Sequence, residues 1–565
     1  MKLKTILFLL NIWIIGDKDP SNISYGSILS SLSQAKSEVE LFDGLGSYKC
    51  SLSEFSSNAQ DYLNQGFIWL QSFNHDEAIR LFTKATEIDP NCAIAWWAIS
   101  YAQGPNYNDP FMTEQRNQAS WDALQKAIKL LESASPIERD LIETLKTRYE
   151  NPFPADRSKL EKAFAESMAK VWKKYPENPD VGAIYAESMM QIRPWGLYTT
   201  DREPVEGTEF IVETLEQVLN LNPNHPGACH LYIHAVEQGK IPEKALAVAE
   251  RLGNMVPASG HMIHMPSHIY TRVNMWDRSI IQNELAMEAD IRYRKISPNQ
   301  GIQHMYMVHN NHILSYSAMM IGHKNKALDA SRHMWTDIPK DKLKMLTPDI
   351  DIWMCSVYDV QKRFGLWDEL LEEPAPPEFM PITSAMWRAH RAIAYAAKKN
   401  FDAAETEYAE FKELYNTTPP QELLFPGWTE ESYRKRLDPI LHFVPGEIAL
   451  QKEDYALAIE HLKKAVLAED ELGFGGEPPE YLQPIRHTLG AVYFKAEKFE
   501  AAEQVYREDL EEFPGNGWSL YGLSRALDAQ GKSTEADIVE RQFLTAWAEA
   551  DVPLLKTTCE CIKDM

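Results

Sequence analysis

Apolar residues recur at alternating spacings of three and four through most of this 565-residue chain, in segments of roughly 12–18 residues. Period-two alternation, the mark of strands, is scarce. The segments come in pairs separated by short polar breaks containing Pro, Asn or Gly, which predicts stacked helical hairpins. The clearest unit is YLNQGFIWLQSFNHDEAIRLFTKATEIDP, residues 62–90. Gly66 falls where the two helices of the hairpin approach closely. Ala78 is small and opens the second helix, Phe82 and Ala85 continue its inner face, and Pro90 stops it.

The pattern returns along the chain. Ala502 and Pro514 repeat the spacing of Ala78 and Pro90, with Gly490 and Tyr506 in the places of Gly66 and Phe82. Ala245 and Pro257 repeat it again, Ile211 and Pro223 form a weaker copy, and Ala458, Leu462 and Ala465 mark another. From Ile211 to Ala245 is 34 residues, as is Ala245 to Ser279, whereas Ala327 and Ala404 follow at longer intervals and imply insertions. Gly, Ala, aromatic, Ala and Pro at this period are the tetratricopeptide-repeat signature. The predicted fold is therefore all-α, a tetratricopeptide-repeat superhelical solenoid. Its organisation reads as a signal-like segment at 1–16, a Ser-rich linker or capping segment at 17–57, N-terminal and central repeats at 58–338, C-terminal repeats at 339–550 and a tail at 551–565. Two turn-rich stretches, GPNYNDP at 104–110 and ELGFGGEPPEYLQP at 471–484, read first as connections.

The opening QGFIWLQSFNHDEAIRLFTKATEIDPNCAIAWWAISYAQGPNYN resembles that of a group of bacterial tetratricopeptide-repeat proteins with histidine-rich central repeats. HPGACHLYIHAVE, GHMIHMPSHIYTRVNMW and EPPEYLQPIRHTLGAVYF…VYREDLEEFPGNGWSLYGL are similar to that group in the same order, from about Leu41 to Leu555. The resemblance implies the repeat fold and an interaction role. It implies no named reaction.

The repeat register turns a local enrichment of histidine into geometry. Groove-facing side chains of a hairpin's first helix lie 18, 15, 11 and 8 residues before the small residue that opens the second, one face of a helix. Counted back from Ala245, Ser279 and Ala327, these offsets select His230, His234 and Glu237, then His261, His264 and His268, then His309 and His312. Seven of the eight histidines between 230 and 312 fall on the groove; His304 does not. His487 lies at the same offset before Ala502 and lines the groove alone. Neutral imidazoles suit Zn, Cu, Fe or Ni, and Glu237 adds an oxygen donor. His234, His264 and His268, mid-helix on neighbouring repeats, lead the candidates for metal ligation, and Asn310 and Asn311 are candidates to orient the rings. The competing reading is a polar groove that binds an anionic peptide or senses acid by protonation. The neighbouring methionines (Met262, Met265, Met305, Met307, Met319 and Met320) read as core filler. Trp195, Trp276, Trp335 and Trp353 read as packing between hairpins. Glu477 and Arg486 are candidates to close the groove end.

Composition narrows the classes. A formal charge of −25 without a basic stripe argues against nucleic acid and anionic membranes. Lys2 and Lys4 before an apolar run to Gly16 have the layout of a secretory signal, though no A-x-A-like cleavage site follows; export to the periplasm or the outside is the expectation. Four of the six cysteines are widely separated, so no disulfide framework is read, and Cys559 and Cys561 form a C-x-C in the tail. No H-E-x-x-H, phosphate-loop, nucleophile-elbow or dinucleotide motif occurs. Two functions remain open: an exported binding protein whose concave groove takes a peptide or protein segment beside a bound metal, or a metal-dependent hydrolase or oxidoreductase with Glu237 as its acid–base group.

Overall fold

The structure, a computed structural model, describes residues 39–52, 59–297, 301–473 and 478–552. The signal-like segment, most of the Ser-rich segment, Glu477 and the C-x-C tail lie outside the described residues. Helix follows helix, and the described residues contain no strand, only an isolated bridge between Tyr198 and Pro204. The architecture is the all-α repeat solenoid that the periodicity predicts.

The first hairpin shows why. Helix α1 (Ala59–Gln71) turns into α2 (His75–Ile88), whose first turn is capped by the Asn74 side chain accepting from the Glu77 N–H. A Cβ on Gly66 would stand 2.4 Å from the Phe82 ring, and one on Gly490 2.5 Å from the Tyr506 ring, so only glycine lets these helix pairs close. The small residues that set the register, Ala78, Ala245, Ser279, Ala327, Ala404, Ala458 and Ala502, are all fully buried.

The solenoid closes on itself in a way the repeat pattern does not predict. At the N-terminal end Phe42 and Trp69 pack on Tyr293, and the Asn74 amide donates to the Tyr293 hydroxyl at 2.8 Å. From the other side Trp276 donates its indole N–H to the Pro514 carbonyl and Trp518 to that of Met319, both at 2.9 Å. Asp551 caps Lys324 and Asn325 by accepting their backbone N–H groups. Both ends therefore return to the central hairpins. The inner wall that sequence alone presents as an open groove is there a sealed interior, because aromatic side chains distant in sequence lie across it.

Candidate metal centre

Three hairpins deliver the histidines. Helix α3 (Pro226–Val236) starts on a proline at its first position and is buried along its whole length. It places His230 and His234 one turn apart, and Glu237 caps its end. In the next hairpin Ser259 caps α4 (Gly260–His264), and Pro266, which lacks the N–H needed to continue the ladder, starts α5 (Pro266–Tyr270). His264 and His268 thus straddle a break and still meet. Their hairpin is completed by α6 (Trp276–Ile296), and α7 (Gln303–Met320) brings His309 and His312.

Six of the seven rings gather into two triads. His230, His234 and His261 each offer a ligand nitrogen within 4.8 Å of the others, and so do His264, His268 and His309; all six residues are buried. In the first triad His230 donates Nδ1–H to the Gln71 carbonyl at 2.7 Å, which leaves Nε2 bare, 3.1 Å from Nε2 of His261. His234 donates Nδ1–H to Oε1 of Glu237 at 2.7 Å.

The second triad has a stricter consequence. The Asn283 amide donates to Oγ of Ser267 and to the Ser279 carbonyl, at 2.8 and 2.7 Å, which fixes its orientation and turns Oδ1 toward Nδ1 of His264 at 2.7 Å. His264 therefore carries its proton on Nδ1. His268 brings its Nδ1 to 2.8 Å from Oε2 of Glu237, a contact that favours the proton on the same nitrogen there. Both rings then point bare Nε2 lone pairs at each other across 2.8 Å. Two acceptors at that distance repel unless a proton or a metal ion lies between them. Two nitrogens on one tetrahedral or trigonal metal lie about 3.3–3.6 Å apart when each bond is about 2.0–2.1 Å, within reach of a small ring rotation.

Electrostatics disfavours the proton. Burial, and after it the neighbouring imidazoles, hold His230, His261 and His309 well below the ordinary histidine range; burial, then His268, does the same to His264. The rings are thereby kept neutral, the form that ligates. Aromatic side chains wall them in. Phe73 lies 4.4 Å from His230, Tyr306 4.3 Å from His261, Tyr107 and Trp195 5.5 and 5.4 Å from His234, and Trp353 5.1 Å from His309, centroid to centroid. Trp195 reaches its place with φ of 58°, a left-handed conformation rare for a bulky residue and common at functional sites.

Glu237 lies among the rings, with Oε1 accepting from His234 and Oε2 2.8 Å from Nδ1 of His268, one histidine of each triad. His312 is buried under Trp353, 6.4 Å from the His309 ring, and belongs to neither triad; burial pushes it down to about 3. His304 lies apart, as the register predicts, and His487 is a core histidine paired with Asp509 at 2.9 Å. Asn310 and Asn311 orient no imidazole: their amides donate to Asp290 and to the Met307 carbonyl. That task falls to Asn283, which sits four residues after Ser279, where the corresponding repeats carry Phe82, Leu462 and Tyr506. A polar residue at an apolar register position was the available signal. The 104–110 loop also does more than connect. Arg116 pins it through the carbonyls of Gln103, Gly104 and Phe111 and the Asp109 carboxylate, and it delivers Tyr107 to His234. Met262, Met265, Met307, Met319 and Met320 are core residues. Trp276 and Trp335 bridge hairpins, Arg486 forms a two-pronged ion pair with Asp470, and the four described cysteines are free, buried thiols.

An approach to the centre lies beside His268. A cavity of about 20 Å³, bounded by His268, Thr271 and Tyr316, shares Arg272, Pro479 and Phe513 with a surface pocket of about 630 Å³. The 471–484 turn contributes Pro478 and Pro479 to that boundary.

Residues 62–92 match the family model of the tetratricopeptide repeat. A comparison with curated proteins returned no match. Among solved structures, a monomeric IFIT1 mutant with Gppp-AAAA is similar at 16% identity over 92% of this chain and 99% of that one, with a TM-score of 0.33. The human IFIT1 dimer with PPP-AAAA is similar at 17% over 87% and 91%, with a TM-score of 0.32. The APC/C hetero-tetramer Cut9–Hcn1 is similar at 12% over 87% and 74%, with a TM-score of 0.28. At these values no ligand or partner transfers to this chain.

Proposed function

We propose that this chain is a metal-binding repeat protein, in which the solenoid is a protein-binding scaffold and the central histidines hold a transition metal. The observation that carries the reading is the approach of Nε2 of His264 and Nε2 of His268 to 2.8 Å, with the Asn283 oxygen behind the first ring and the Glu237 carboxylate 2.8 Å behind the second. Glu237 acts as an orienting carboxylate: it accepts from His234, stands 2.8 Å from Nδ1 of His268, and raises the basicity of both rings. A peptide or protein partner meets the molecule at the charged pocket lined by Arg272, Glu508 and the Arg202–Glu512 ion pair, because the histidine wall itself is buried. The signal-like N-terminus supports export, where such a partner and the metal would be met.

A second reading, the metal-dependent enzyme, is favoured by the cavity beside His268. With about 20 Å³ it admits one water-sized molecule from the surface pocket to the rings. Metal analysis of untagged protein tests the first reading. The wild type is expected to retain a transition metal through desalting, and His264→Asn with His268→Asn to retain less of it while keeping its helical circular dichroism. Failure of the folded wild type to take up any transition metal would overturn it.

A further inference from the structure

Resting on the metal-binding reading, we propose that the centre holds two copper ions, one in each triad, and that the pair binds a ligand no larger than dioxygen. The rings are grouped as two sets. Within the triads the closest nitrogens are 3.1 and 2.8 Å apart, and neighbouring ring centroids lie 4.8 to 5.5 Å apart. Between the triads, His234 and His268 are 5.8 Å apart and His261 and His264 6.0 Å. Each set also has its own support from behind, the Gln71 carbonyl for His230 and Asn283 for His264. Glu237 stands between the sets, accepting from His234 of one and lying 2.8 Å from Nδ1 of His268 of the other, and so holds them at a fixed spacing. One ion drawing ligands from both sets would have to break that spacing.

The charge balance selects the metal. All six donors are imidazoles, which carry no charge when they ligate, and Glu237 is the carboxylate that touches the rings. Two dications would place four positive charges against one negative in a buried aromatic enclosure, where uncompensated charge is costly. Two Cu(I) ions halve that charge, and three imidazoles are a donor set copper accepts. The cavity reaches the second triad at His268, and its volume of about 20 Å³ limits what enters there to a water- or dioxygen-sized molecule. Dioxygen bound to the pair takes one electron from each ion. The oxygen–oxygen double bond becomes a single bond carrying two negative charges, both coppers become Cu(II), and neither a proton nor another reductant enters the balance.

The test is an anaerobic Cu(I) titration of the full untagged chain against a chromophoric chelator, followed by exposure to air. Two equivalents are expected in the wild type and in Cys559→Ser/Cys561→Ser, and one in His261→Asn and in His309→Asn. Air should then consume one dioxygen per two coppers in the wild type and none in either histidine variant. One equivalent in the wild type would overturn the pair and leave the metal-binding reading standing; none would overturn both. Two equivalents persisting in the histidine variants, or lost with the tail cysteines, would place the copper elsewhere and overturn the pair. Tight zinc that excess Cu(I) does not displace would overturn the choice of copper. Two coppers without oxygen uptake would overturn the ligand.

Discussion

Glu237→Gln is the most informative single substitution. The side chain keeps its size, and the site loses its charge and one of its two acceptor atoms. In the wild type one oxygen accepts from His234 at 2.7 Å and the other lies 2.8 Å from Nδ1 of His268. A glutamine can accept from only one of these rings. Its amide N–H₂ faces the other and drives that ring to the opposite tautomer, with the proton on Nε2 and no lone pair for metal. One triad therefore loses a donor while the other keeps three. Loss of an orienting partner of a ligating histidine weakens metal binding by about 10–100-fold, or about 1.4–2.7 kcal/mol. Competition titration with a chelator of known affinity reads this directly, and circular dichroism with thermal denaturation checks that the fold survives. Affinity within threefold of wild type would refute the orienting role. Loss of all metal by Gln together with full retention by Asp would instead identify Glu237 as a direct ligand, the role the sequence register suggests.

Three further expectations follow from particular contacts. Asn283→Leu, the residue type of Leu462 at the same register position, removes the acceptor behind His264 and should weaken metal binding about 10–100-fold with helical content unchanged, measured by the same competition. Gly66→Ala forces a methyl to 2.4 Å from the Phe82 ring and should destabilise the chain by about 1–3 kcal/mol; denaturant unfolding should show part of the loss recovered when Phe82→Leu is added. His75, which donates Nδ1–H to the Ala102 carbonyl, is pushed down to about 3 by burial. It is neutral when folded and titrates near 6.5 when unfolded, so its contribution is intact above about pH 6.5 and lost as pH falls from there toward 3. At pH 5 the loss is about 2 kcal/mol. His75→Asn should shrink the difference in unfolding free energy between pH 7 and pH 5 by about that amount.

Period, anchor residues and breaks were legible in the sequence because they are local. A 34-residue repeat with Gly66 facing Phe82 and Gly490 facing Tyr506 encodes helix pairs whose closeness depends on contacts within one hairpin. The same register put seven histidines on one face and set His304 aside, because a side chain's direction on a helix follows from its spacing alone. Spacing along one helix carries no information about what crosses from another turn of the solenoid. Only the tertiary structure sealed the groove, by carrying Phe73, Tyr107 and Trp353 onto the rings. Only it split six histidines into two triads, left His312 beneath Trp353 and turned Glu237 toward His234 and His268. Above all, the tautomers were decided there: which ring nitrogen holds the proton is set by the atom behind it, and for His230 and His264 that atom belongs to Gln71 and Asn283, brought into place by packing between helices.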